Sequence, residues 1–178
     1  GGTGNVDYTL DANHVVDHLS KAFCGEGQHL YVPAVVSHVQ TKRTLMKEDS
    51  IRQIMNAYDH LNVALVGIGT ADNTSSAFRS GYYSEEMKQQ AVRDRVCGDI
   101  CMHLFDKEGR TDCFPYNKQI VGVNLNKLKK VPYAIGIANG VRKAEAIRGA
   151  IKGGYINVLV TDAQCGEALT RLNDELNN

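Results

Sequence analysis

The stretch from Tyr133 to Asp162 is YAIGIANGVRKAEAIRGAIKGGYINVLVTD, and it predicts a strand, a helix and a second strand. Tyr133–Ala138 is a short apolar run of the kind that is buried in a parallel sheet. Asn139-Gly140 interrupts that run with residues that tolerate positive φ. A helix follows, because apolar residues recur at three- and four-residue spacing until Gly153-Gly154 ends it. Its apolar stripe consists of Ala144, Ile147, Ala150 and Ile151. Ile156–Val160 then forms the next strand, and a βαβ unit of this length crosses over right-handed.

Lys143 is the first candidate functional residue in this unit. The pattern places it near a helix N-terminus at the carboxyl end of a strand, where open α/β sheets bind ligands. A helix dipole disfavours a cation at that end, so an ammonium group there suits a phosphate or carboxylate ligand. The alternative is an ordinary solvated lysine on a helix surface.

Composition limits the class of protein. The 178 residues suffice for one domain with a substantial core, and 20 basic residues balance 20 acidic ones, which indicates neither disorder nor a basic nucleic-acid surface. No apolar run approaches the roughly 20 residues of a membrane helix. The five cysteines are scattered and odd in number, which favours reduced thiols in a cytoplasmic protein. Cys97-x3-Cys101 has no second pair or suitably spaced histidines, so the sequence predicts no metal site.

Strands and helices alternate along the rest of the chain. We expect strands at His29–Val36 and, most clearly, at Ala64–Gly69, with a helix over Thr41–Tyr58 that breaks near Glu48-Asp49-Ser50. Another helix opens at Ser84, and Asp162 caps the last one. This alternation is typical of a mostly parallel sheet covered by helices on both faces. The glycine loop at the start of the chain normally follows a strand, so we expect at least one further strand upstream.

Two more side chains could bind a ligand. Asp99 follows a glycine between a helix and an apolar stretch, where a carboxylate can accept hydrogen bonds from vicinal hydroxyl groups. A helix cap or turn residue is the equally plausible interpretation. Arg79 lies after the clearest strand, and its guanidinium suits phosphate oxygens, although a surface arginine is the commoner outcome. Gly67-Ile68-Gly69 lacks the third glycine of a dinucleotide motif, and no catalytic triad is recognisable.

Five motifs come in order at spacings that resemble a known family. They are VALVGIG (63–69), RSGYYS (79–84), VCGDICxxLFDxxG (96–109), IVGVNL (120–125) and KAEAIxxAIxGGYINVLVTD (143–162). Together they resemble the C-terminal effector-binding domain of SorC-type bacterial transcriptional regulators, across nearly the whole chain. The last motif is the most specific.

The resemblance implies a Rossmann-like domain, similar to sugar-phosphate isomerases, that binds a phosphorylated sugar without turnover and without a cofactor. It places ligand contacts on Asp99, Lys143 and Arg79, and a glycine-rich loop on Gly1-Gly2, of which Gly2 is the expected contact. This chain has Ala138-Asn139-Gly140 where the family usually has Ala-Gly-Gly, which alters the turn. The resemblance also implies that residues 1–178 are an effector domain lacking part of its N-terminal half and the family's DNA-binding helix-turn-helix.

The leading hypothesis is therefore a cytoplasmic sugar-sensing domain that acts on operator DNA through that absent domain, in a homo-oligomer (a dimer or tetramer), without membrane contact. One alternative is a sugar-phosphate isomerase or lyase of related fold, with Asp99 as the base or Lys143 as the nucleophile. It needs a second acid–base group, for which the sequence offers no clear candidate. The third possibility is an oligomerisation module without a ligand.

Overall fold

A computed structural model describes residues 12–79 and 81–174, which form one five-stranded sheet with helices. The strands are β1 (Val63–Thr70), β2 (Gly98–Ile100), β3 (His103–Phe105), β4 (Tyr133–Ile137) and β5 (Val158–Val160). The helices are α1 (Ala12–Ala22), α2 (Val39–Leu45), α3 (Asp49–Ala57), α4 (Ser76–Arg79), α5 (Glu85–Arg93), α6 (Leu125–Leu128), α7 (Ala144–Lys152) and α8 (Ala163–Asp174). Short 3-10 turns occur at Tyr58–His60, Pro115–Gln119 and Val141–Lys143.

The sheet has the strand order β3-β2-β1-β4-β5, with β1 at its centre. β1, β4 and β5 run parallel to one another, which confirms the predicted α/β architecture. On its other edge β1 pairs with β2 in antiparallel fashion, and β2 continues through a tight hairpin into β3. The central strand is therefore the boundary between a parallel and an antiparallel half.

Local signals place most of the helices correctly. Thr41–Tyr58 is broken as expected, because α2 ends at Leu45 and α3 begins at Asp49. The Ser84 hydroxyl accepts a hydrogen bond from the Met87 amide and so caps α5. Helix α7 ends in Gly153-Gly154, where Gly154 has a φ of 70°. These ends are set by residues close in sequence, which is why the sequence predicts them.

The predicted strand at His29–Val36 is wrong. The segment is irregular apart from a single antiparallel bridge between Val35 and Ile120. Its alternate residues are nevertheless buried, and three of them, Leu30, Val32 and Val36, pack with Met55 and Val121 in a cluster separate from the sheet. The alternation of apolar residues thus indicates that one side of the segment is buried. A strand also needs a neighbouring strand for continuous backbone hydrogen bonds.

The main core lies between α7 and the sheet. Ala146, Ile147 and Ala150 of α7 are at most 1% exposed, and they belong to the same cluster as Ile68 of β1 and Phe105 of β3. Burial of a larger side chain such as Ile147, Ile68 or Phe105 stabilises a fold by roughly 1.5–3 kcal/mol. This packing fixes α7, and with it the residue just before α7, against the centre of the sheet.

The opposite face of the parallel half is exposed. Six apolar side chains that alternate with the core residues of β1, β4 and β5 are between 38% and 59% exposed. They are Val63, Leu65, Tyr133, Ile137, Val158 and Val160. The strand register places them on one face, so this part of the sheet presents a continuous apolar surface.

Candidate ligand-binding site

A cavity of about 440 Å³ opens at the carboxyl ends of β1 and β4. Four segments line it: the end of β1 (residues 67–70), the loop after β1 with the start of α4 (Thr74, Ser75 and Ala77), the β2–β3 hairpin, and the loop before α7. Two of the predicted site residues, Asp99 and Lys143, are among the lining residues. The volume falls within the range typical of small-molecule sites.

Asp99 is a buried strand residue, so its interpretation as a helix cap or turn residue is wrong. It lies in β2 opposite Gly69 of β1 and is only 6% exposed. Burial raises the pKa of its carboxyl group to about 7, although the charge of Lys143 and a hydrogen bond from the Met102 amide both oppose that rise. Its Oδ1 atom is buried and accepts no hydrogen bond. A buried polar atom without a partner costs about 1–3 kcal/mol, and here that atom belongs to a residue lining the cavity.

Gly69 makes room for this carboxyl group. A Cβ atom at that position would overlap Asp99 Oδ1 and would lie 3.1 Å from Ser75 Oγ. The Ser75 hydroxyl is also buried without a hydrogen-bond partner. Sequence reasoning missed Ser75, although it belongs to the small polar loop that follows the clearest strand. Two oxygens without hydrogen-bond partners therefore lie next to Gly69, in residues that line the cavity.

Lys143 is the last residue of the Val141–Lys143 turn and directly precedes α7. Its Nζ donates a hydrogen bond to the Ile68 carbonyl oxygen of β1 at 2.8 Å. The side chain thus points back across the sheet and is not an ordinary solvated lysine. Gly140, which has a φ of 93°, and the Asp162 carboxylate that accepts its amide hydrogen bond together shape this loop.

The other two predicted ligand contacts are Arg79 and Gly2. Arg79 is exposed at the end of α4 and is not among the cavity-lining residues. Gly2 lies outside the residues that the structure describes. Arg142, which sequence reasoning did not single out, lines the cavity beside Lys143. The structure therefore supplies a second cation from the loop before α7.

The β2–β3 hairpin turn forms one wall of the cavity. Its two central residues, Cys101 and Met102, have φ values of 50° and 67°, a conformation that side chains other than glycine, asparagine and aspartate rarely adopt. The Tyr83 hydroxyl donates to the Met102 carbonyl oxygen at 2.6 Å. The His103 ring donates from Nδ1 to the Cys101 carbonyl oxygen at 3.0 Å, and burial lowers the pKa of His103 to about 4, so the ring is neutral near pH 7.

Two other site classes are not seen in the part of the chain that is described. Over residues 12–79 and 81–174, no group of three or more histidine, cysteine, aspartate or glutamate side chains is placed to bind a metal ion. Within the same ranges, none of the helices combines the length and apolarity needed to cross a bilayer.

Comparison with known proteins identifies the family. The family model described as "Putative sugar-binding domain" matches residues 1–171, which is nearly the whole chain. The chain belongs to this family of sugar-binding domains. The match agrees with the resemblance to SorC-type regulators that the sequence motifs predicted.

Curated relatives of this sugar-binding domain are transcriptional regulators. The chain is 31% identical to the deoxyribonucleoside regulator of Bacillus subtilis (strain 168) over 169 residues, which cover 95% of this chain and 54% of that protein. It is 37% identical over 142 residues to the transcriptional regulator LsrR of Escherichia coli (strain K12), covering 78% and 45% of the two chains. The domain thus spans about half the length of the curated relatives it matches.

A solved structure supports the same assignment. The full-length sorbitol operon regulator SorC from Klebsiella pneumoniae matches with a TM-score of 0.86 and 29% sequence identity, over 93% of this chain and 54% of that one. The fold of this sugar-binding domain is therefore the fold of the corresponding part of SorC.

Proposed function

We propose that this domain binds a phosphorylated sugar in the cavity at the end of β1 and thereby controls DNA binding by a transcriptional regulator. The observation that carries the proposal is the buried, unpartnered Asp99 Oδ1 in a cavity that Lys143 also lines. An unsatisfied carboxyl oxygen suits sugar hydroxyl groups, whereas an ammonium group suits phosphate. Family membership supports the sugar, and the two cations of the loop before α7 support the phosphate.

Four of the cavity-lining residues have a defined role in this proposal. Asp99 and Ser75 hydrogen-bond to hydroxyl groups of the sugar above Gly69, while Lys143 and Arg142 bind the phosphate. Lys143 is held by the Ile68 carbonyl before a ligand arrives, so little rotamer entropy is lost on binding. The phosphate of the ligand then compensates the charge at a helix N-terminus, where a cation alone is unfavourable.

Regulation requires a difference in affinity between two states. A bound sugar changes DNA affinity only if it binds one arrangement of the regulator more tightly than another. The operator contacts belong to a helix-turn-helix in another part of a cytoplasmic protein, and the two arrangements are those of a homo-oligomer.

The test is calorimetric titration of the domain with terminal phosphates of ribose, deoxyribose, glucose, fructose and sorbitol. We expect D99A and K143M each to weaken binding of the preferred sugar at least tenfold, because each leaves a desolvated polar group of the ligand or protein without its partner. K47M, on the exposed loop between α2 and α3, is the matched control and should bind normally. Unchanged affinity in both site variants would refute the site.

Two further measurements separate binding from its consequence. Gel-shift titration of the complete regulator, with its operator, should show that the same sugar phosphate changes DNA affinity. Conversion of the sugar phosphate to a new product would instead favour the isomerase or lyase hypothesis.

A further inference from the structure

The strained hairpin turn beside the site needs an external support. Ile100 pairs with His103, so Cys101 and Met102 are the two central residues of a two-residue β-hairpin loop. Such loops favour Asn-Gly because both central residues have positive φ. A residue held in the left-handed region against its preference costs on the order of 1–3 kcal/mol. The surroundings must therefore hold this turn in place.

Tyr83 supplies the most direct support. Its side chain is 3% exposed, and its ring packs on Phe78 with the two centroids 4.9 Å apart. From this fixed position the hydroxyl group donates to the Met102 carbonyl oxygen at 2.6 Å. The phenol thus reaches the turn from a separate segment of the chain, the loop that precedes α5.

The other end of the same residue touches the site. Met102 and Asp99 lie three residues apart on the same hairpin and line the same cavity. Backbone hydrogen bonding from the Met102 amide lowers the pKa of the Asp99 carboxyl group, while Asp99 Oδ1 stays without a partner. A continuous chain of bonds therefore runs from the Tyr83 hydroxyl through Met102 to Asp99. Movement of Met102 would remove the bond that orients the carboxyl group and would change the cavity wall that Met102 forms.

We propose that Tyr83 is a positioning residue for sugar recognition, acting through Met102 to hold Asp99 in its binding orientation. Tyr83 is not among the cavity-lining residues, so it exerts this effect without touching the ligand. The inference rests on the proposed function for its consequence on affinity. The support of the turn by the Tyr83 hydroxyl group does not depend on any ligand.

The first experiment concerns the turn alone. Y83F keeps the ring and removes only the hydroxyl group, so the fold should persist, as checked by thermal unfolding. Amide hydrogen exchange of the unliganded domain, followed by NMR, should accelerate at least tenfold at Met102 while the amides of β4 and α7 stay unchanged. Unchanged exchange at Met102 would overturn the proposal, whether or not any sugar phosphate binds.

The second experiment is a double-mutant cycle on binding of the preferred sugar phosphate from the panel above. Y83F alone should weaken binding about fivefold to tenfold, as expected for loss of one hydrogen bond. In a C101N/M102G background the turn adopts positive φ without help, so Y83F should weaken binding less than twofold there. Equal losses in both backgrounds would mean that Tyr83 acts by another route and would overturn the proposal.

The two proposals fail separately. If D99A and K143M bind normally, the site assignment is wrong even though Met102 exchange responds to Y83F. If D99A and K143M lose binding but Y83F keeps full affinity, the site stands and the positioning role is wrong.

Discussion

Between about pH 4 and pH 7 the folded domain retains a proton on Asp99 that the unfolded chain releases. Burial raises the pKa of Asp99 from 3.8 to about 7. Because the folded-state pKa is the higher one, the contribution of Asp99 to stability is fully present below the unfolded pKa and is lost as pH rises through the folded pKa. A residue retained at such a cost is typical of a binding site.

The D99N variant should therefore stabilise the unliganded domain while abolishing sugar binding. The gain in melting temperature should be smaller at about pH 5 than at about pH 8, where the parent carries a buried charge worth on the order of a few kcal/mol. Thermal unfolding across this range measures it. A gain that is independent of pH would contradict the assignment.

Folding lowers the pKa of Asp162, which is the opposite of its effect on Asp99. The hydrogen bond from the Gly140 amide is the main cause of this lower pKa, and the hydrogen bond from the Cys165 amide is the second. Its stabilisation is present above the unfolded pKa and is lost as pH falls. D162N should therefore lower the melting temperature, and by more at neutral than at acidic pH, which the same unfolding series would reveal. A loss that did not diminish towards acidic pH would argue against this role.

The sequence predicted the residues whose chemistry is local, and it missed those defined by burial. Lys143 and Asp99 were found because each stands beside a glycine break in a motif. The sequence has no such signal for Ser75 or Tyr83. The unpaired hydroxyl group of Ser75 and the hydrogen bond from Tyr83 to the Met102 carbonyl oxygen exist only in the folded chain. Arg79 was chosen for its chemistry, and its exposed position away from the cavity depends on how α4 packs.

Among the secondary-structure elements, α7 and α8 differ in how closely they approach their neighbours. A Cβ atom at Gly149 of α7 would lie 2.9 Å from the Asp106 carbonyl oxygen and 3.0 Å from the Phe105 ring. A Cβ atom at Gly166 of α8 would meet nothing within 4 Å. The first glycine therefore permits close packing on the hairpin, whereas the second has no packing role.

Alanine substitution should separate these two glycines. G166A should stabilise the domain by about 0.5–1 kcal/mol through helix propensity. G149A gains the same propensity but must displace backbone, which costs about 1–3 kcal/mol, so it should be neutral or destabilising. Equilibrium urea unfolding measures both. Equal stabilisation by the two substitutions would show that α7 is not packed as closely as described.

Among the secondary-structure elements, the sequence predicted helix ends and buried strands but not the β2–β3 hairpin. Capping residues and glycine stops lie within a few positions of the ends they define. The β2–β3 turn was missed because Cys101-Met102 lacks the Asn-Gly signal of a two-residue loop. His29–Val36 is the opposite case: its apolar residues alternate as in a strand, but the segment has no continuous strand partner.

For the whole molecule, the exposed apolar face of β1, β4 and β5 has consequences in solution. Parallel sheets are normally covered on both faces, and apolar patches of this extent promote association. The isolated domain should therefore self-associate as its concentration rises, as sedimentation velocity would show. L65K should reduce that association, whereas V92K, on the exposed surface of α5, should not. An equal response to both substitutions would exclude this face as the cause.

The position of β1 between a parallel and an antiparallel half has a mechanical consequence. Lys143 belongs to the parallel half and Asp99 to the hairpin half, and the cavity spans the line between them. A ligand that contacts both residues acts as a clamp across that line and resists twisting of one half against the other. In the proposed function, occupancy of the site stiffens the sheet, and other parts of a regulator sense that stiffness without touching the ligand.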